Sequence, residues 1–121
     1  MKQKVHSVSY LAKAEFELKD GSYDLVALPT GAEMIRMSLQ VVGSPKAGTI
    51  KVTLKDEITD NPLTLLSDLL VANNTTTTVE YCYTVPSNKV LMVEVMGANE
   101  PNIKGVLKVI YFLPSVIEVE Y

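Results

Sequence analysis

Few residues of this chain could carry out catalysis. His6 is the only histidine and Cys82 is the only cysteine. A Ser-His-Asp or Cys-His arrangement would need His6, which lies in a lysine-containing segment close to the N-terminus. Cys82 would be a nucleophile only beside a base that keeps it as a thiolate, and a free cysteine on a strand more often packs as a small apolar residue. The sequence therefore predicts no catalytic residue, no enzyme activity and no cofactor.

Metal sites have little support either. One histidine and one cysteine cannot supply the roughly four nitrogen or sulfur ligands of a structural zinc ion. The acidic loop 56–61 offers oxygen atoms that could bind calcium, but it lacks the glycine and the distal glutamate of an EF-hand. A solvated turn is the alternative interpretation of this loop. Neither interpretation makes the loop a catalytic site.

Charge argues against nucleic acid and membrane surfaces as partners. The formal net charge is -3, and Arg36 is the only arginine. Affinity for DNA or RNA is built mainly from lysine and arginine side chains that neutralise phosphates. The chain contains neither a nucleotide-binding glycine motif nor a run of about 18 apolar residues that could span a bilayer. We expect the partners to be proteins.

Alternation of apolar and polar residues is the commonest pattern, and a period of two is typical of a strand with one buried face. Residues 34–42 are predicted to bury one face, which carries Ile35, Met37, Leu39 and Val41. Residues 49–55 repeat the pattern, and residues 43–48 are rich in turn formers, which predicts a hairpin. The same reasoning predicts a second hairpin from residues 75–85 and 90–96, and further strands over residues 23–28, 103–113 and 116–121. Residues 5–18 contain both helix formers and strand formers, and the strand is favoured there over a helix.

One segment has the spacing of a helix. In residues 62–72, Leu65, Leu66, Leu69 and Leu70 are separated by one, three and four residues, which predicts one short helix or helical turn. The rest of the chain predicts an all-β fold, an antiparallel two-sheet β-sandwich for which jelly-roll topology is one possible arrangement. A chain of 121 residues fits a single domain, residues 1–121.

Several segments resemble small β-sandwich virion proteins of tailed bacteriophages and prophages. The resemblance rests on Leu28-Pro29-Thr30-Gly31-Ala32 before an alternating strand, on residues 48–52, and on the closing residues 105–115 with their aromatic-Leu-Pro end. It implies a structural protein of the virion, made in the bacterial cytoplasm. The implied roles are head decoration, head-tail joining or a tail-associated subunit that contacts other virion proteins.

The resemblance also bears on oligomeric state. The terminal residues Val116, Ile117, Val119 and Tyr121 are candidates for an interface, because a short alternating strand can add to a neighbour's sheet edge. The sequence shows few charges, bulges or prolines that would protect strand edges. We therefore expect a homo-oligomer, and virion symmetry favours a trimer or a larger ring.

A different function remains open. Tyr81 and Tyr83 could be stacking platforms in a β-sandwich module that binds a carbohydrate or a peptide. Because they alternate with Val79 and Val85, both tyrosines could equally pack in the core or at an interface.

Overall fold

Strands make up nearly all of the regular structure. The computed structural model describes residues 2–6, 9–43, 45, 47–56, 63–70, 76–114 and 116–120. They form eight strands: β1 Lys2–His6, β2 Ser9–Leu28, β3 Glu33–Val42, β4 Thr49–Asp56, β5 Leu63–Leu70, β6 Thr76–Thr84, β7 Lys89–Phe112 and β8 Val116–Glu120. All pairings between them are antiparallel. The all-β prediction is confirmed.

The longest pairing joins β2 to β7. Their ladder runs from Ser9 opposite Phe112 to Leu28 opposite Lys89. It bends midway, because β7 contains more residues than β2 between Glu17 and Gly21. At this corner the Asp20 Oδ1 atom accepts a hydrogen bond of 2.8 Å from the backbone N–H of Ala98. Extra residues on one strand increase its bend and twist, so both long strands pass from one sheet into another.

The bend divides the six strands β2 to β7 into two four-stranded sheets. Sheet I contains residues 9–17 of β2, residues 104–112 of β7, β3 and β6. Sheet II contains residues 21–28 of β2, residues 89–96 of β7, β4 and β5. Eight strand segments paired in this order have jelly-roll topology. Buried residues of both sheets form one hydrophobic core, including Met37, Leu39, Val52, Leu91 and Val109.

Two predicted hairpins are wrong. β3 and β4 do not pair with each other; both pair with β7, so the connection 43–48 carries the chain from sheet I to sheet II. A side chain at Gly43 would meet Ile103, and one at Gly48 would meet Ala98, because this connection lies against the corner. β6 likewise pairs with β3 rather than with the strand after it. The strands predicted at 90–96 and 103–113 are parts of one strand, β7.

Register shifts also change which residues are buried. Met34 and Met37 both lie in the core, whereas Ile35 is only half-buried, because β3 has one extra residue relative to β7 between Met34 and Arg36. The prediction that Ile35 shares the face of Met37 is wrong for this reason. Leu39 and Val41, which follow the shift, are buried as predicted.

The helix predicted in residues 62–72 is also wrong. Residues 63–70 form β5, which pairs with β4. Leu66 lies opposite Val52 and Thr64 lies opposite Thr53, so β5 has an extra residue there, and a second shift follows before Leu69. Each shift moves the alternation between the two faces of the strand by one residue. The leucines of β5 therefore follow spacings of one and three residues instead of a regular spacing of two. Leu63, Leu65 and Leu66 pack against the core, which outweighs the helix preference of leucine.

Phe16 and Gly105 form a close pair beside the corner. They lie directly opposite each other in the β2/β7 ladder. The Cζ, Cε1 and Cε2 atoms of the Phe16 ring cover the position that a Cβ atom of residue 105 would occupy. The ring also stacks on Tyr23, with ring centroids 6.0 Å apart. Gly105 is therefore required by this close approach.

An ion pair lies at the end of sheet II that is farthest from the corner. Lys89 Nζ lies 3.0 Å from Asp56 Oδ2, and the Ser87 hydroxyl donates a 2.9 Å hydrogen bond to Asp56 Oδ1. The side chains of Lys89 and Asp56 are 10% and 20% exposed. A charge with so little contact with water destabilises the folded state unless an opposite charge is paired with it.

We expect Gly105→Ala to lower the free energy of unfolding by about 1–3 kcal/mol, as overpacking does in a filled core. In a Phe16→Leu background the same substitution should cost clearly less, because leucine lacks the overlapping ring atoms. Urea denaturation of the four proteins measures the difference. An equal loss of unfolding free energy in both backgrounds would contradict the overlap of the Phe16 ring with a side chain at residue 105.

We also expect Asp56→Asn to lower the free energy of unfolding by about 3 kcal/mol, since it leaves a nearly buried ammonium without its carboxylate. Asp24→Asn is the matched control, because Asp24 pairs with Lys55 at 3.0 Å but is 58% exposed, and it should cost less than about 1 kcal/mol. Adding Lys89→Met to Asp56→Asn should recover part of the loss. Thermal unfolding at pH 7 measures the stability of all three variants. A similar loss of stability in Asp56→Asn and Asp24→Asn would contradict the expected difference between the nearly buried ion pair and the exposed one.

Candidate interaction surfaces

The turn between β2 and β3 is tied to the loop between β6 and β7. Gly31 N–H donates to the Val85 carbonyl at 2.7 Å, and Val85 N–H donates to the Ala32 carbonyl at 2.9 Å. The Asn88 Oδ1 atom accepts hydrogen bonds from the backbone and hydroxyl of Thr30, at 2.9 and 3.0 Å. Gly31 has φ 86°, in the left-handed region that favours glycine.

The same turn contacts the end of β7. A Cβ atom at Gly31 would lie 3.0 Å from Cβ of Pro114. The Leu-Pro-Thr-Gly-Ala segment and the closing aromatic-Leu-Pro segment, on which the resemblance to virion proteins rested, therefore pack against each other. A side chain at residue 31 would be crowded by Pro114, which favours the glycine there.

The outward face of sheet I carries a shallow groove of about 260 Å³. Six residues line it: Leu11, Arg36, Ser38, Thr78, Lys108 and Ile110. Leu11 is 61% exposed. Lys13 lies directly opposite Lys108 in the ladder, and like charges in that position repel. Arg36 is engaged by Glu80 at 2.9 Å, so the only guanidinium group of the chain already has a carboxylate partner.

A second concavity, of about 310 Å³, lies at the corner of the β2/β7 ladder. Its lining consists of Asp20, Gly21, Ser22, Glu94, Val95, Met96 and Gly97. Met96 is exposed there. Leu11 and Met96 are exposed apolar residues that the alternating pattern did not reveal, because such a pattern does not identify the face that meets solvent.

The strand edges are better protected than the sequence suggested. β2 forms an edge of both sheets, since β7 is its pairing partner among the described residues. Its ladder has register shifts after Glu17, Lys19 and Asp24, and the ladder of β5, another edge strand, has two. Such irregularities are one way in which proteins prevent edge-to-edge pairing. The expectation of few bulges is wrong.

The residues proposed for ligand stacking do not form an exposed platform in the described part. Tyr83 is half-buried and packs against the core. Tyr81 belongs to β6, and its side chain lies outside the described residues. Cys82 is exposed, so the expectation that it packs as a small apolar residue is wrong. Cys82 alternates with Glu80 and Thr84 on one face of β6, and all three side chains are exposed.

The candidate interface strand is paired within the chain. β8 lies antiparallel to β1, with Val116 opposite His6 and Ile117 opposite Val5. Val119 lies opposite Gln3. Tyr121 is outside the described residues. β1 and β8 form their own two-stranded sheet, separate from sheets I and II.

The described residues do not form a group of three or more histidine, cysteine, aspartate or glutamate side chains that could hold a metal ion. Of the acidic loop only Asp56 is described, and it is engaged by Lys89 and Ser87; residues 57–61 lie outside the described part. Within the described ranges we find no helix with the length and apolar character needed to cross a membrane.

Comparison with known proteins finds relatives among solved structures. Neither a family model nor a curated protein matches the chain. A chain in the structure titled as the acidic stable capsid of Helicobacter pylori bacteriophage KHP30 is 53% identical. That match covers 100% of both chains, with a TM-score of 0.79.

More distant structures share the fold. The capsid of Ralstonia phage GP4 contains a chain with 13% identity and a TM-score of 0.63, and the match covers 92% of this chain and 88% of that one. The capsid of cyanophage Pam1 contains a chain with 16% identity and a TM-score of 0.54, covering 88% and 85%. The resemblance to phage virion proteins is thereby confirmed.

Proposed function

This chain belongs to the family of the capsid chain from Helicobacter pylori bacteriophage KHP30, and we propose that it is a structural subunit that decorates the outer surface of a phage head. The full-length match at 53% identity carries the proposal. That capsid chain is matched from end to end. The fold of this chain therefore corresponds to a whole capsid chain and not to one part of a larger shell protein.

Charge supports the outer surface over the inner one. The inside of a phage head faces packaged DNA, and a protein held against DNA neutralises phosphates with lysine and arginine. This chain has a net charge of -3, and its one arginine, Arg36, is engaged by Glu80. A surface of this charge is suited to contacts with proteins and solvent.

Structure comparison favours the head over the two other locations expected from the sequence. Each of the three phage structures is titled as a capsid. Head decoration places many copies over the shell, whereas head-tail joining places copies at one vertex and a tail-associated subunit places them on the tail. The proposal is therefore decoration, through contacts with shell proteins and with further copies of the chain.

Immunogold electron microscopy of intact particles tests this location. Particles would be purified from the phage that encodes the chain and labelled with antibodies raised against the recombinant protein. We expect gold over the whole surface of the head, without prior rupture. Antibody preincubated with the recombinant protein is the control. Label confined to one vertex, to the tail or to ruptured heads, or no label at all, would overturn the proposal.

Self-association is part of the proposed role. We expect the purified chain to form a closed homo-oligomer, a trimer or a larger ring, because sites on a capsid repeat by symmetry. Sedimentation equilibrium at micromolar concentration measures the mass. A single species at the monomer mass of 13.3 kDa would contradict this expectation.

A further inference from the structure

Two neighbouring rows of side chains border the groove on the outward face of sheet I. Both rows cross the sheet in the order β2, β7, β3 and β6, and residues directly opposite each other on neighbouring strands share a face. The first row consists of Leu11, Ile110, Arg36 and Glu80. The second row, about 7 Å away along the strands, consists of Lys13, Lys108, Ser38 and Thr78.

The lysine pair of the second row is not balanced by an opposite charge in the described part of the chain. None of the ion pairs between described residues includes Lys13 or Lys108. Glu15, two residues along β2, lies opposite Val106 and is not ion-paired with either lysine. Like charges directly opposite each other destabilise an antiparallel pair. A surface that costs stability in the free protein is typical of a site that binds a partner.

The first row places apolar surface beside these charges. Leu11 is 61% exposed and lies opposite Ile110, which is half-buried. The guanidinium group of Arg36 is paired with Glu80 at 2.9 Å, so the free positive charge of the groove belongs to the lysines. A phosphate or another small anion would use the lysines but not the leucine. A protein segment with a carboxylate beside an apolar side chain would use both.

A second copy of this chain is a poor match for the groove. Most carboxylates of the described residues already have a partner within the chain; they are those of Glu17, Asp20, Asp24, Glu33, Asp56 and Glu80. Glu94 lies opposite Lys51 in the β4/β7 ladder. Each copy also has a net charge of -3, so two copies repel each other overall. Self-association should therefore use other surfaces, and the lysine pair is better suited to a different protein.

We propose that this face of sheet I docks onto the shell of the phage head, where a shell-protein segment places a carboxylate beside Lys13 and Lys108 and an apolar side chain against Leu11. The carboxylate offsets the repulsion between the two lysines, and the apolar contact removes the leucine from water. The two hydroxyl groups of the second row can bind polar groups of the same segment. The inference rests on the proposed function, because it names the surface through which the decorating subunit contacts the shell.

Charge reversal at one lysine separates docking from folding. Lys108→Glu places a carboxylate opposite Lys13, so the midpoint of thermal unfolding should rise by about 1–4 °C. The same substitution repels the carboxylate of the shell protein, so we expect ~10-fold or more fewer copies of the subunit per head. A variant that folds better and docks worse cannot be explained by loss of the fold.

Lys51→Glu is the matched control for this charge change. Lys51 lies on β4 of sheet II and faces Glu94 in the ladder. Its reversal places two carboxylates opposite each other, so the unfolding midpoint should fall. The number of copies per head should not change, because sheet II is not the docking face.

Copies per head are counted in purified particles. Cells infected with the phage that lacks this gene would express each variant from a plasmid, and the heads would be analysed by quantitative gel electrophoresis against the shell protein. Where heads do not survive without the subunit, the loss of docking appears as fewer purified heads. An unchanged number of copies with Lys108→Glu would overturn the proposal.

Leu11→Ser tests the apolar part of the contact. Because Leu11 is 61% exposed, this substitution should hardly change the unfolding midpoint. We expect ~5-fold or more fewer copies per head, since an apolar anchor is lost from the interface. Met96→Ser is the control, because Met96 is 58% exposed but lies on β7 within sheet II. Equal copy numbers for the two serine variants would contradict docking through this face.

The results also distinguish failure of this inference from failure of the proposed function. If the original chain is absent from heads, both are wrong. If the original chain and Lys108→Glu are present in equal numbers, the proposed function stands and only the docking face is wrong. If Lys108→Glu and Leu11→Ser instead lower the mass of the purified chain in sedimentation equilibrium, a second copy occupies the face and the shell contact is overturned.

Discussion

The antiparallel pairing of β2 with β7 is the interaction on which the other strands depend. β7 supplies a pairing edge to β3 in sheet I and to β4 in sheet II, while β2 covers its opposite edge along both sheets. Without the bend at the corner, the strands would form one long sheet with no enclosed core. The Asp20 hydrogen bond to Ala98 and the connection at Gly48, which also lies against Ala98, hold this bend.

The close packing of Phe16 on Gly105 has a role in the same framework. It lies one pair before the end of sheet I at the corner, where an aromatic ring over a glycine keeps the two strands in close contact. At the other end of sheet II, Lys89 and Asp56 are paired across β7 and β4. On one side of the bend an apolar contact thus joins β7 to β2, and on the other side an ionic contact joins β7 to β4.

Local pattern predicted strands well but could not predict their partners. Residues 34–42 and 49–55 were predicted as strands, and they correspond to β3 and β4. Alternation records which face is buried, but it carries no information on which distant segment supplies the hydrogen bonds. The connection 43–48 has the composition of a hairpin turn, yet its glycines serve to pass close to Ile103 and Ala98.

Register shifts account for two further errors. In β5 they produced a leucine spacing that resembles a helix, and in β3 they exchanged Met34 for Ile35 in the core. The error at Cys82 has another cause, since this residue shares an exposed face with Glu80 and Thr84 and the preference of free cysteine for burial did not apply. A shift depends on the neighbouring strand, so it cannot be read from one segment. The candidate interface strand was predicted from its pattern alone, whereas its pairing with β1 in the same chain depends on a segment more than a hundred residues away.

The ladder that joins the first long strand to the last one also has a consequence for the order of folding. Ser9 pairs with Phe112, so a nascent chain that has left the ribosome up to β6 still lacks the partner of β2. Contacts between residues so far apart in sequence slow folding, because the loop entropy must be lost before the contacts form. The jelly roll can close only after β7 has been synthesised, and until then apolar strands are exposed.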